Sequence, residues 1–233
     1  MAGEKDAAAQ NATNGTGGNL EHLVPYEDLR DWIAETERLG ELRHVTGANW
    51  QEEIGMAAEI VSHDDGAPAV LFGEVPGCLA GSRVLVNIFG GKRKNMTLGF
   101  PTDLGKVALS NAFANIYHGN EKLIAPRTVD DGPIFENVMQ GDDVDLEIFP
   151  TPHWHEKDGG RYIGTGCYHI TRDPETDSIN LGSYRVMLKD KKTVAHNVLP
   201  GRHANLHLKK YLARGERMPV AIVVGGVPLT FIM

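Results

Sequence analysis

Cysteine is almost absent: Cys78 and Cys167 are the two thiols in 233 residues, too few to build a disulfide framework. Long apolar runs are absent as well. The best, Val220 to Val224, has the length of a buried strand and falls far short of a membrane span. The N-terminus lacks the cationic segment followed by an apolar stretch that a secretory signal needs, so the cytoplasm is the expected compartment. Positive charge is scarce, with 23 Lys and Arg against 31 Asp and Glu and a net charge of −8. That balance argues against nucleic acid as a partner, because such binding depends on clustered cations. The short basic runs at Lys189 to Lys192 and at Lys209-Lys210 read as solvated surfaces. Large apolar side chains are nearly missing from the first twenty residues, which cannot repay the entropy of ordering; a disordered tail over 1–22 is expected.

The remainder is 41% hydrophobic over the whole chain and long enough to bury a core as one large or two small domains. Pro25 opens a helix in which Leu29, Trp32, Ile33, Thr36 and Leu39 recur at helical spacing, with Glu27 and Asp28 in its first turn and Gly40 at its end. A second helix is expected over 51–62, stopped by Asp64-Asp-Gly-Ala-Pro68, and strands over 69–72 and 83–89. Thr102 is placed to cap a third helix reaching Tyr117. This alternation indicates an α/β domain over 23–125. From 126 to 233 the texture changes to short strands at 143–149, 166–171, 179–188 and 193–198, then a helix over 203–214 and a strand from Val220. No internal repeat interrupts the pattern.

The chemistry concentrates in Asn180-Leu-Gly-Ser-Tyr-Arg185 and Pro200-Gly-Arg-His203. A regular strand over 179–188 would point Asn180, Gly182 and Tyr184 one way and Leu181, Ser183 and Arg185 the other. A bend is therefore needed to bring Asn180 and Arg185 to one site, and Gly182 is where the backbone could supply it. An amide oxygen with an imidazole nitrogen suits Mn²⁺ or a similar divalent ion better than a thiolate zinc site. Arg185, always charged and forked, suits a carboxylate or phosphate. Spacing alone favours ordinary satisfied polar groups over a site. Other signals carry less. His153-Trp154-His155 sits between prolines and reads as a packing loop. His203 and His207 stand four apart without a Glu directly after His203, which leaves His207 as a helix-surface residue. Gly90-Gly-Lys-Arg-Lys94 lacks the order of a phosphate-cradling loop and reads as an interdomain polar turn.

In combination, Asn180 to Arg185, Asp158-Gly-Gly-Arg-Tyr-Ile163, Gly201-Arg202-His203, Asn87-Ile-Phe-Gly-Gly91 with Arg93, and Leu98-Gly99 resemble the UbiD-type decarboxylases, such as 4-hydroxy-3-polyprenylbenzoate decarboxylase. The resemblance runs from about Tyr26 to Met233. It implies an N-terminal α/β domain followed by part of a flavin-binding split β-barrel, and prenylated FMN as cofactor, supplied by a flavin prenyltransferase. The flavin phosphate would be held through Mn²⁺ or a similar divalent metal with K⁺ nearby. Asn180 and His203 match two of three metal ligands. Ser183, Tyr184, Arg185, Asn197, Val198, Leu199 and Arg202 match positions lining the cofactor, and Arg185 also matches the catalytic residue that orients the substrate carboxylate. The implied reaction is the reversible non-oxidative decarboxylation of a small aromatic or α,β-unsaturated acid, with a homo-oligomer for the full-length form. The third ligand and the protonating acid of such enzymes lie beyond the point matching Met233. The chain is therefore expected to be a truncated or split piece, inactive alone. Two alternatives stay open: a split-barrel flavin oxidoreductase, and a non-catalytic flavin-binding subunit.

Overall fold

The computed structural model describes residues 24–115, 125, 127–164 and 166–232. The tail expected over 1–22 and the end of the helix expected to reach Tyr117 lie outside them. Helix α1 spans Leu29–Arg38 and starts later than Pro25, because the Asp28 carboxylate accepts from the amides of Arg30 and Asp31 and so stands as its cap. Strand β1 (Leu42–Thr46) follows, then α2 (Glu53–Ser62), β2 (Ala69–Gly73) and β3 (Val84–Val86). β2 is central, parallel to β1 and antiparallel to β3. Its residues Ala69 to Phe72 are all buried, the mark of a strand covered on both faces. Ala69 and Leu71 pack with Trp32 and Ile33 of α1, while Val70 and Phe72 pack with Ile54 of α2. The result is a helix–sheet–helix sandwich.

A short helix, α3 (Gly91–Thr97), occupies the Gly90 to Lys94 stretch that the sequence suggested was an interdomain turn. Its start is fixed by the Glu41 carboxylate, which accepts from the amides of Lys92 and Arg93 at 2.8 and 3.0 Å. Gly91 has φ +49, and a Cβ there would meet that same carboxylate at 2.6 Å. The 1%-exposed Arg93 guanidinium pairs with Glu41 at 3.1 Å and donates to the carbonyls of Asn87 and Ala67. Helix α4 (Lys106–Asn115) begins four residues past Thr102. The Asn95 side-chain amide holds the carbonyls of Pro101, Thr102 and Leu104 in a turn that precedes it.

The strand expected over 143–149 is instead two 3₁₀ turns, Gly141–Asp143 and Leu146–Ile148. Asp145 accepts from the amide of Glu147, a local bond that competes with a strand ladder, and Lys191 and Lys192 pair with Asp145 and Asp142. Beyond it lie β4 (Tyr162–Gly164), β5 (Cys167–Arg172), β6 (Ile179–Gly182), β7 (Arg185–Leu188) and β8 (Val194–Asn197), then α5 (His203–Ala213) and β9 (Ala221–Val224). These strands form two three-stranded antiparallel sheets, β4-β7-β8 and β6-β5-β9. Among the described residues the strands pair as separate three-stranded sheets. No helix among those residues is long and apolar enough to cross a membrane.

Candidate functional site

The run expected as one strand over 179–188 is cut at Ser183-Tyr184, and its halves join different sheets. Ser183 Oγ donates to the Cys167 carbonyl at 2.9 Å, and the Tyr184 carbonyl accepts from His169 Nε2 at 3.1 Å. Both bonds tie the corner to β5. The bend anticipated at Gly182 thus falls one residue later. Gly182 is still required, since a Cβ on it would overlap the Tyr184 ring, 2.7 Å from its nearest atoms. That ring lies edge-on to His169 and His196, which stack on each other with centroids 4.2 Å apart. Burial holds the His169 imidazolium off, pushing its pKa down to about 4, and burial also lowers His196. Past the corner, Arg185 sits opposite Asn197 in the β7–β8 register. Its guanidinium is exposed and stands 5.7 Å from the centroid of the Tyr162 ring.

Asn180, before the corner, is half-buried and pairs with Thr171 across β5–β6. Its Nδ2 donates to Thr171 Oγ1 at 3.5 Å, and the same hydroxyl lies 3.0 Å from His207 Nδ1. His207, expected on the helix surface, is 6% exposed and faces the sheet. Beyond it Asp173 Oδ2 is 3.8 Å from His207 Nε2 and 2.7 Å from Lys210 Nζ. The Lys210 ammonium holds the Asp173 carboxyl down at about 2. One turn before His207, His203 opens α5 and is exposed, as is Arg202 at the cap position, whose side chain makes no capping bond. Tyr184 reaches this helix start with its hydroxyl 3.5 Å from the amide of Ala204. The two halves of the sequence-predicted site therefore meet through Tyr184. Val198 and Leu199 lead into α5 through a turn in which the Arg202 amide donates to the Leu199 carbonyl.

A cavity of about 1250 Å³ lies against the corner. Ser183 and Arg185 line it from one side, and Phe89, Phe149, Trp154 and Ile222 supply apolar walls. The remaining predicted site residues, Asn180, Tyr184, Asn197, Val198, Leu199, Arg202 and His203, do not line it. The Asp158 to Ile163 motif supports its floor: Arg161 donates to the carbonyls of Phe149 and Thr151 and stacks 3.8 Å over Trp50. At the rim, His155 lies between Glu59 and Asp158, and the Glu59 hydrogen bond raises its pKa. Cys167, His169, Thr171 and His207 did not emerge from the sequence as site residues. A signal was present, because polar residues at every second position of β5 break the rule that a strand's buried face is apolar.

Among the described residues no cluster of three or more His, Cys, Asp or Glu is arranged to hold a metal. The donor set near α5 is of another kind. With Asn180 Nδ2 turned to Thr171, Oδ1 remains as a hard oxygen ligand beside the helix that opens with Arg202 and His203. An amide oxygen and an imidazole are donor types that suit a divalent ion.

A family model described as the 3-octaprenyl-4-hydroxybenzoate carboxy-lyase Rift-related domain matches residues 127–233, and the model of that carboxy-lyase's N-terminal domain matches 33–108. Pyrrole-2-carboxylic acid decarboxylase of Pseudomonas aeruginosa is 34% identical over 215 residues, covering 86% of this chain and 42% of the relative. Phenolic acid decarboxylase of Escherichia coli O157:H7 is 29% identical over 218 residues, covering 90% and 45%. Vanillic acid decarboxylase of Sedimentibacter hydroxybenzoicus in its closed form superposes with a TM-score of 0.80 at 27% identity, over 88% of this chain and 44% of that one. HmfF from Pelotomaculum thermopropionicum, a UbiD-class enzyme in complex with FMN, gives 0.73 at 25% identity, over 87% and 43%. The chain spans less than half the length of these relatives.

Proposed function

The chain belongs to the UbiD family of carboxy-lyases, and from that membership we propose that it serves the reversible non-oxidative decarboxylation of a small aromatic or α,β-unsaturated acid with prenylated FMN. The observation that carries the proposal is the β6–β7 corner. It turns Ser183 and Arg185 toward an apolar-walled cavity while leaving Asn180 beside the start of α5. Residues 23–125 and 126–233 act as two domains under this reading, and the cavity draws its walls from both. Asn180 and His203 would hold Mn²⁺ or a similar divalent ion that anchors the cofactor, with K⁺ as a second cation. Ser183, Tyr184, Asn197, Val198, Leu199 and Arg202 flank the cofactor.

The chemistry supplied by prenylated FMN, when bound, is an electron sink for the carbon–carbon bond that breaks. Arg185 orients the substrate carboxylate through its planar fork and fixes the sign of charge there. Phe89, Phe149 and Trp154 exclude water around the ring of the acid. A flavin prenyltransferase supplies the cofactor, and the working form is a homo-oligomer.

The test is a fluorescence titration of FMN with and without Mn²⁺. Binding is expected to depend on the metal, and Asn180→Ala and His203→Ala are each expected to abolish that dependence. Metal-independent binding, unchanged in both variants, would remove the ligand assignment. Release of CO₂ from a panel of phenolic, cinnamic and heteroaromatic acids, by a form extended to the length of the relatives, tests the reaction itself.

A further inference from the structure

An asparagine is an ambiguous metal ligand, because only one end of its planar amide can coordinate a cation; the other repels it. Something must choose the end. Asn180 does not stand alone on β6. Its Nδ2 meets Thr171 Oγ1 at 3.5 Å, and Thr171 Oγ1 meets His207 Nδ1 at 3.0 Å. The far nitrogen of His207 faces the Asp173 carboxylate at 3.8 Å, and that carboxylate is held by Lys210. Thr171, His207 and Asp173 are all at least nine-tenths buried, at 1%, 6% and 7% exposure. Water therefore does not reorder the chain.

The polarity of this chain runs one way. A carboxylate can only accept, so it favours the His207 tautomer with its proton on Nε2, leaving Nδ1 as an acceptor. The Thr171 hydroxyl then donates to Nδ1 and keeps its lone pairs for a donor. The end of Asn180 that fits is the NH₂. We infer that Thr171 and His207 are positioning residues that set the rotational sense of the Asn180 amide and so present its Oδ1, rather than its nitrogen, to a divalent cation. The inference rests on the metal role proposed for Asn180 and extends it to a layer that the sequence motifs do not contain. Outer groups of this kind orient inner ligands, and their loss costs about 10–100-fold in metal affinity.

The experiment measures Mn²⁺ binding to the full chain in the presence of FMN, by loss of the free-ion electron paramagnetic resonance signal. Thr171→Val keeps the side-chain shape and removes the hydroxyl; it is expected to weaken Mn²⁺ by about 10–100-fold. Thr171→Ser is expected to restore it, and Mn²⁺-independent melting is expected to change little in either. An aspartate has an oxygen at both ends, so orientation ceases to matter in the Asn180→Asp background. There Thr171→Val is expected to weaken Mn²⁺ by less than about threefold. His207→Phe is expected to follow Thr171→Val in both backgrounds. Should Asn180→Ala lose Mn²⁺ while Thr171→Val retains it, the positioning role is wrong and the ligand role stands. Mn²⁺ affinity indifferent to Asn180→Ala would overturn the ligand role and this inference with it. An equal loss from Thr171→Val in both backgrounds would show a merely structural hydroxyl and also overturn the inference.

Discussion

At the scale of single residues, the stacked imidazoles behind Tyr184 set a pH limit on the fold. His169 is fully buried, and among the described residues neither its Nδ1 nor Nε2 of His196 finds a hydrogen-bond partner. A second positive charge 4.2 Å away has nowhere to go. Because the folded-state pKa of His169 lies below its ordinary value, the unfolded chain binds the proton first. Stability is intact above about pH 6.5 and is lost as pH falls toward 4. Denaturant unfolding is expected to lose about 2 kcal/mol near pH 5 relative to neutral from this residue, and His169→Phe should flatten that slope. An unchanged slope would place the proton elsewhere. In a form restored to full length, Arg185→Lys keeps the charge but loses the fork, so turnover is expected to fall strongly while bound metal changes little. Tyr184→Phe is expected to be milder, because the ring packing that holds the corner survives and only the 3.5 Å contact to the Ala204 amide goes. The polar face of β5 was legible in the alternation of Cys167, His169 and Thr171. Its partners were not, since His196 and His207 come from elements whose docking no local pattern specifies.

At the scale of elements, periodicity succeeded where one face of a segment is apolar and failed where tertiary groups overrule it. Helices α1, α2 and α5 and strands β2, β5 and β8 fall within a few residues of their expected bounds, and in α1 and β2 apolar spacing and burial agree. The break of 179–188 did not show in its pattern, since both halves are apolar enough to be strands and the corner depends on His169 and Cys167 from β5. Helix α3 was hidden for a similar reason: its cap, Glu41, lies fifty residues earlier in the chain. That pairing gives a test. Arg93→Ala would leave Glu41 without its charge partner and the backbone carbonyls of Asn87 and Ala67 without their donor. A loss of about 3–5 kcal/mol in unfolding free energy is expected, as for other broken buried pairs. Arg93→Lys should recover only part of it, because one ammonium cannot reach Glu41, Asn87 and Ala67 together.

At the scale of the whole fold, the split sheets leave β9 paired on one side only among the described residues, and Ala221 and Val224 on it are exposed. An apolar edge with free hydrogen-bonding groups templates pairing with another chain. Concentration-dependent self-association is expected by sedimentation, and Ala221→Lys should reduce it without lowering the melting temperature. The same strand also sets an order of events. β5 meets β6 across the short connection 173–178 but meets β9 across 173–220, roughly eight times the length, or about 2 kcal/mol more closure entropy. The β5–β6 hairpin can therefore form early, on its own, whereas β9 must wait until α5 has been laid across that hairpin. Pulse-labelled hydrogen exchange should find the amides of Asn180 and Thr171 protected before that of Val223. In the interval Cys167 and His169 are open to solvent, so a thiol reagent present during refolding would trap the protein at a point the finished fold conceals.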